Sequence, residues 1–308
     1  MASVVLLGLG KMGSAMALRL REKGVSMTAW NRSKPKVDAL CSADLPGTCI
    51  AANSAVEAVD KSSPDSTIML VLSDTQSTLD VLAQVEAQGK LKGRTVVNLA
   101  SGSPDDGRHV AASLPAGTCY IDGAYCGAPS KARQGAGVLF LSSADAADIE
   151  RLRPTFELLG ETVSAGAIGA SRAIDYAVVD LALVCYSSFF SNVEMLEREG
   201  VDPAQFYEQA GKRLATVPPA ISHLHGRLGT RTDASYHEAP IATQETLHNF
   251  WTSRLAYFAA KGIPSDWPEF MASLHKRAAT GTSGGENHWG ADVTRLQEIM
   301  RPPPAEEK

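Results

Sequence analysis

In the first half of the chain, apolar residues come in short, nearly continuous runs: Val4-Val5-Leu6-Leu7, then 26–30 (SMTAW), 66–72 (STIMLVL), 95–99 (TVVNL), 119–122 (CYID) and 137–142 (GVLFLS). Short runs bounded by Gly, Pro, Asp or Ser read as buried strands. Between them, residues 14–21, 51–59 and 77–86 carry apolar positions at helical spacing. Pro104 with Asp105-Asp106 opens another helix, as proline and acids do in a first turn. Strands alternating with helices predict an α/β fold built on a doubly wound parallel sheet.

From about residue 170 the pattern changes. Residues 173–199 run without Gly or Pro and are apolar nearly all round, through Ile174, Val178, Leu181, Leu183, Phe189, Phe190, Val193 and Leu196. A helix of roughly 27 residues spans about 40 Å. Apolar on every face, it belongs in a core or at a subunit seam, and the second of these predicts a homodimer. Beyond this helix the chain is helical by pattern over Pro203–Leu214 and residues 219–228, 242–260, 268–279 and 291–300, with a polar, proline-rich tail from 302 that reads as disordered.

Composition narrows the function classes. The 308 residues are 44% hydrophobic and 20% charged, with a net charge of −5 and no basic cluster, which argues against nucleic acid as a partner. Apolar runs are broken well before the about 18 residues a membrane span needs. Met1-Ala2-Ser3 leads straight into the first strand, leaving no room for a signal peptide. Five scattered cysteines, none paired with histidine at metal-ligand spacing, suit reduced thiols in a cytoplasm and no metal site.

The chemistry starts at the first strand. Gly8-Leu9-Gly10-Lys11-Met12-Gly13 is a G-x-G-x-x-G motif that follows a strand and opens a helix, the context of a dinucleotide fingerprint. Gly8 allows the tight turn, Gly10 lets the backbone approach a pyrophosphate, and Gly13 lets helix and strand pack closely; the helix N-terminus offers its free N–H groups to the phosphates. The competing reading is a glycine-rich turn with no ligand. The end of the second strand selects the dinucleotide. An NAD site places Asp or Glu there, whereas this chain has Asn31-Arg32-Ser33 with Lys34 and Lys36 following. Arg32 can grip a 2′-phosphate with both arms of its fork, Ser33 can donate to it, and Lys36 adds charge, so NADP(H) is expected. The alternative is a solvated basic turn. Ligands of such sheets lie off the carboxyl ends of the strands. That rule puts residues 8–12, 72–74 (with Leu72 and Ser73) and 98–103 (with Asn98 and Ser101) along the cofactor, and 124–129 (with Tyr125) near the substrate.

GLGKMGSAMALRL, WNRS, VVNLASGSP and YIDGAYCGAP, in this order and spacing, resemble the β-hydroxyacid dehydrogenase superfamily, and within it most closely the imine reductases, including the reductive aminases. The resemblance implies an N-terminal Rossmann-type domain over 1–165, a long interdomain helix over 166–200 and an all-α substrate and dimerisation domain over 201–308. It also implies active sites that combine the N-terminal domain of one chain with the C-terminal domain of its partner. The hydroxyacid dehydrogenases carry a catalytic lysine four residues after a glycine at the start of the long helix. Here the fourth residue after Gly169 is Ala173, and no lysine occurs between Lys131 and Lys212. The imine reductases also lack that lysine and carry Asp or Tyr six residues after the glycine, which here is Asp175.

A carboxyl on a mostly apolar helix is desolvated, so its neutral, proton-donating form is favoured; as a carboxylate it could instead hold an iminium cation. The bland alternative for Asp175 is a helix N-cap. Tyr186, eleven residues on, falls on nearly the same face and could line the pocket or simply pack. The resemblance further implies Ser101 where relatives have an Asn near the nicotinamide, Leu183 where reductive aminases have a tyrosine, and Thr243-Gln244 as a substrate-side pair from the partner subunit. His223, His225 and His248 read as surface residues, and Asp180, about 140° round the helix from Asp175, as a structural or solvated group. The expected activity is NADPH-dependent reduction of an imine or iminium, or of a carbonyl plus an amine. A 3-hydroxyacid dehydrogenase with an unusual acid and a non-catalytic NADP(H)-binding protein are the alternatives.

Overall fold

The computed structural model describes residues 3–217, 242–281, 286–291 and 293–300. These divide into two compact units, Met1–Val184 and Cys185–Lys308, with the boundary inside the long helix. In the first unit the described strands are β1 (Ser3–Leu7), β2 (Ser26–Trp30), β3 (Cys49–Ala51), β4 (Thr67–Leu70), β5 (Thr95–Asn98), β6 (Cys119–Cys126), β7 (Gly137–Ser143) and β8 (Gly160–Gly166). They form one sheet in the order β3-β2-β1-β4-β5-β6-β7-β8. The helices are α1 (Lys11–Glu22), α2 (Lys34–Ser42), α3 (Ala55–Asp60), α4 (Thr75–Glu86), α5 (Pro104–Ser113), α6 (Pro129–Gln134), α7 (Ala146–Phe156) and the start of α8 (Ala170–Arg198).

The sheet is central because its strands bury both faces. In β1, Val4 and Leu6 join the core on one side, with Met16 and Leu20 of α1, while Val5 and Leu7 join the other, with Val81 and Val85 of α4. Each such side chain, taken fully out of water, contributes about 1.5–3 kcal/mol. Helix starts follow local chemistry. Asp74 caps α4 by accepting from Ser77 N at 2.7 Å, and Ser103 with Asp106 forms a capping box ahead of Pro104 in α5.

Several expectations need correction. The sheet is not wholly parallel, since β7 runs antiparallel to β6. The stretch 51–59 is not one helix: Ala51 ends β3 and α3 begins only after the Ser54 cap. The pattern also missed β8, α2, α6 and α7. β8 (GETVSAG) is a polar edge strand, and the three helices are short, with modest apolar faces. Cys41 of α2 and Cys49 of β3 are joined in a disulfide, so the expected set of reduced thiols does not hold; Cys119, Cys126 and Cys185 are free. Helix α8, 29 residues long, is long and apolar enough to cross a membrane, with a mean hydropathy of 1.5 over an 18-residue window. The reading that no stretch reaches that length is therefore overturned. Within the chain α8 is also largely exposed, with Ser171 and Arg172 its only buried residues, so it is not a core helix of this chain.

In the second unit, beyond the remainder of α8, the described elements are α9 (Pro203–Leu214), α10 (Gln244–Lys261), α11 (Asp266–Thr280), a 3-10 turn (Val293–Arg295) and α12 (Leu296–Met300). α10 and α11 pack as a pair, with Trp251 and Trp267 edge to face at 6.4 Å between ring centroids. The helix expected over 219–228, His223, His225 and the tail from 302 lie outside the described residues.

Candidate active site

A cleft of about 1440 Å³ opens in the first unit beyond the carboxyl ends of β1, β2, β4 and β5. Its floor is the fingerprint. Gly8 has φ +109°, and a Cβ on Gly13 would lie 2.1 Å from the Gly8 carbonyl oxygen, so the turn and the helix approach both demand glycine. Gly10 differs: a Cβ there would meet no atom within 4 Å. Internal packing does not require glycine at that point, and the open cradle over it fits a pyrophosphate on the α1 N-terminus.

Gly8, Gly10, Met12 and Gly13 all line the cleft, together with Asn31, Arg32, Ser33, Lys36, Leu72, Ser73, Ser101, Tyr125 and Asp175. Asn31 acts as a brace. Its Oδ1 accepts from Leu9 N at 2.8 Å and its Nδ2 donates to Ser33 O at 3.1 Å, tying the fingerprint turn to the β2–α2 turn. Ser33 occupies the N-cap position of α2 without a side-chain cap bond, so its hydroxyl, Arg32 and Lys36 gather around an α-helix N-terminus. Ser73 donates to Asp74 at 2.6 Å, and that bond is the main reason the Asp74 carboxyl lies below its usual range.

Two expected residues of the first unit are not on the cleft wall. The Leu9 side chain is in the core and contributes only its backbone. Asn98 is fully buried, receiving Ala100 N at 3.0 Å and donating to Tyr120 at 3.2 Å. In the second unit, Thr243 caps α10 by accepting from Thr246 N, and Gln244 is buried against His275 Nδ1 at 2.9 Å. Tyr186 is also in the second unit, 61% exposed. His248 Nδ1 lies 3.0 Å from the Ala272 carbonyl.

Asp175 is the sixth residue of α8, well inside the helix, so it is not the N-cap. Asp175 lines the cleft, burial raises its pKa above the ordinary aspartate value, and Oδ1 is buried without a hydrogen-bond partner among the described residues. The arrangement suits a neutral carboxylic acid that can release a proton into the cleft. Its charge reaches Cys126, whose thiol pKa is raised by burial first and by Asp175 second.

Lys11, within the stretch 8–12 expected along the cofactor, lines the cleft, which also takes residues that the pattern did not single out: Trp30, Ser77, Asp80, Gln84, Arg172 and Tyr176. Asp180, expected to be structural or solvated, is exposed and lines it too. Ser77, Asp80, Val81 and Gln84 sit at i, i+3, i+4 and i+7 on α4, a face that spacing alone could have revealed.

The family model for the NAD binding domain of 6-phosphogluconate dehydrogenase matches residues 3–169. The chain belongs to this family. The chain is 25% identical to an NADPH-dependent reductive aminase of Aspergillus oryzae over 96% of its own length and 95% of the relative's. Its fold is similar to an imine reductase from Bacillus cereus, with TM-score 0.82 and 24% identity, covering 98% of this chain and 100% of that one. It is also similar to a reductive aminase from Aspergillus terreus in complex with NADPH and ethyl levulinate, with TM-score 0.79 and 22% identity over 97% and 99% of the two chains.

Proposed function

We propose that this chain is an NADPH-dependent reductase of C=N bonds, with an imine or iminium, or a carbonyl and an amine, as substrate. The observation that carries the reading is Asp175. A partly buried carboxyl, with an oxygen unpartnered among the described residues, stands on the cleft wall two residues beyond Ala173, the position at which the hydroxyacid dehydrogenases carry their lysine. The lysines that line the cleft, Lys11 and Lys36, belong instead to the first turns of α1 and α2. The full-length relationship to a reductive aminase supports the same choice over a 3-hydroxyacid dehydrogenase or a non-catalytic binding protein.

When bound, the reduced nicotinamide supplies the two electrons for the C=N carbon. The chain does the rest. Gly8, Gly10 and Gly13 admit the pyrophosphate, Arg32, Ser33 and Lys36 hold the 2′-phosphate, and Leu72, Ser73, Ser101 and Tyr125 wall the path between cofactor and substrate. Asp175 delivers a proton to the substrate nitrogen, and Tyr186 is a further candidate on the substrate side. NADPH absorbance followed with a panel of cyclic imines, beside NADP+ with 3-hydroxyacids, tests the reading: consumption with imines is expected, and oxidation of hydroxyacids alone would overturn it.

The homodimer belongs to the same proposal. Leu181 and Leu183 on α8 are 53% and 55% exposed and Phe190 is 71% exposed, an apolar surface that a second copy would cover. Light scattering at micromolar concentration should give twice the 32.6 kDa chain mass; a single-chain mass sinks the dimer. The division into a cofactor domain (1–165), a connecting helix (166–200) and a helical substrate and dimerisation domain (201–308) follows this reading. A cytoplasmic location is part of it as well, supported by the free thiols of Cys119, Cys126 and Cys185, although the Cys41–Cys49 bond would open in a reducing compartment.

A further inference from the structure

We infer that Arg172 is a positioning residue that locks the helix bearing Asp175 to the cofactor-side loop after β5. The inference rests on the proposed reduction and concerns the same cleft. Arg172 sits one helical turn before Asp175 and is 2% exposed, while its partner Asp122 on β6 is fully buried. Arg172 Nε donates to Asp122 Oδ1 at 2.8 Å. A chain of hydrogen bonds continues from there: Tyr120 OH donates to Asp122 Oδ1 at 3.1 Å, Asn98 Nδ2 donates to Tyr120 OH at 3.2 Å, and Ala100 N donates to Asn98 Oδ1 at 3.0 Å. Ser171, beside Arg172, adds a bond to the Asp122 carbonyl at 3.1 Å. Ala100 lies on the cleft wall, so the network runs unbroken from that wall to the start of α8.

The guanidinium holds the same loop a second time. A Cβ added to Gly102 would lie 2.6 Å from Arg172 Nη1 and 2.8 Å from Thr75 Oγ1, so the loop backbone rests directly on the fork. Among the described residues neither Nη1 nor Nη2 has a hydrogen-bond partner; they act through contact and charge. That charge also reaches the Asp106 carboxylate, which accepts from Ser103 N and Oγ at 2.7 Å and shapes the entry to α5. A buried ion pair is poor evidence for added stability, because desolvation offsets the attraction, but it fixes geometry strongly. Here the fixed quantity is the placement of residues 100–104 relative to Asp175. Reaction rates respond to displacements of about 1 Å by about 100-fold, whereas affinity set at the pyrophosphate and 2′-phosphate does not.

Arg172→Lys keeps the positive charge beside Asp122 but removes the fork that supports Gly102. Expected are a kcat on a cyclic imine lowered by about 10–100-fold, a Kd for NADPH within about twofold of wild type by fluorescence titration, and faster amide hydrogen exchange over residues 100–106 in the cofactor-free protein. The deuterium isotope effect on kcat with 4-deuterated NADPH should rise, because hydride transfer becomes slower relative to the other steps. A merely structural role would lower the fraction of active molecules and leave that isotope effect unchanged. A folded Arg172→Lys variant with wild-type kcat, isotope effect and exchange overturns the inference. Should this variant not fold, Asp122→Asn/Arg172→Gln removes both charges together, avoids a lone buried ion, and is held to the same outcomes. If wild type reduces no imine, the proposed function falls, and the exchange measurement alone decides whether Arg172 holds the loop: unchanged exchange overturns that too.

Discussion

Replacing Asp175 with asparagine should lower kcat on a weakly basic cyclic imine by about 10²–10⁴-fold, the usual contribution of a positioned acid or base. Size and hydrogen bonding are kept in this variant and only the titrating proton is lost. Affinity for NADPH should hardly change, since Arg32, Ser33 and Lys36 are untouched. The pH dependence has a defined sign. Burial raises the Asp175 pKa, so its proton persists above the ordinary aspartate range, and a rate that needs that proton falls as pH rises through the raised value. A rate that instead rises through this range would make the carboxylate, holding an iminium by charge, the working form. Stability obeys the same linkage. Between the unfolded value and the raised folded value the native state binds more protons, so stability falls as pH increases. Asp175→Asn removes the desolvated charge, and its Tm at neutral pH should therefore exceed that of wild type even as activity is lost. An asparagine variant with wild-type kcat would remove Asp175 from the mechanism and turn attention to Tyr186.

Arg32→Ala should raise the KM for NADPH by about 10–100-fold and hardly affect NADH. Hydrogen bonds from a guanidinium to a phosphate are worth about 1.5–3 kcal/mol, and each 1.4 kcal/mol is about tenfold. Arg32, Ser33 and Lys36 are all exposed around the α2 N-terminus, so the discrimination should also weaken as ionic strength rises. Equal use of NADPH and NADH by wild type would show that this cluster does not read the 2′-phosphate.

Much of the cofactor half is legible in the residues because buried parallel strands are nearly continuous apolar runs. β1, β2, β4, β5 and β7 each announce themselves, and the glycines after β1 carry their own steric reason. β8 does not, being a polar edge strand, and β3 is three residues long and merges into the α3 pattern. Asp175 stands out through the resemblance, but its escape from a capping role depends on where α8 begins, which lies five residues earlier at Ala170. Arg172 is silent for a different reason. A charged residue beside a helix start reads as surface, and only the pairing with Asp122, fifty positions away, shows it to be interior. The Cys41–Cys49 bond is equally hidden, because β3 returns beside α2 in space while nothing in the cysteine spacing says so. Helix α8 misleads in the other direction: its apolar surface is legible, but which molecule covers it is not written in one chain.

C=N reduction by this chain is tested most directly by the fate of the label from 4-deuterated NADPH presented with a cyclic imine. Wild type should place one deuterium per turnover at the former C=N carbon of the amine, and Asp175→Asn should give hardly any product under the same conditions. An unlabelled amine, or label found only in the alcohol formed from a 3-oxoacid while imines stay untouched, would contradict the proposed reaction.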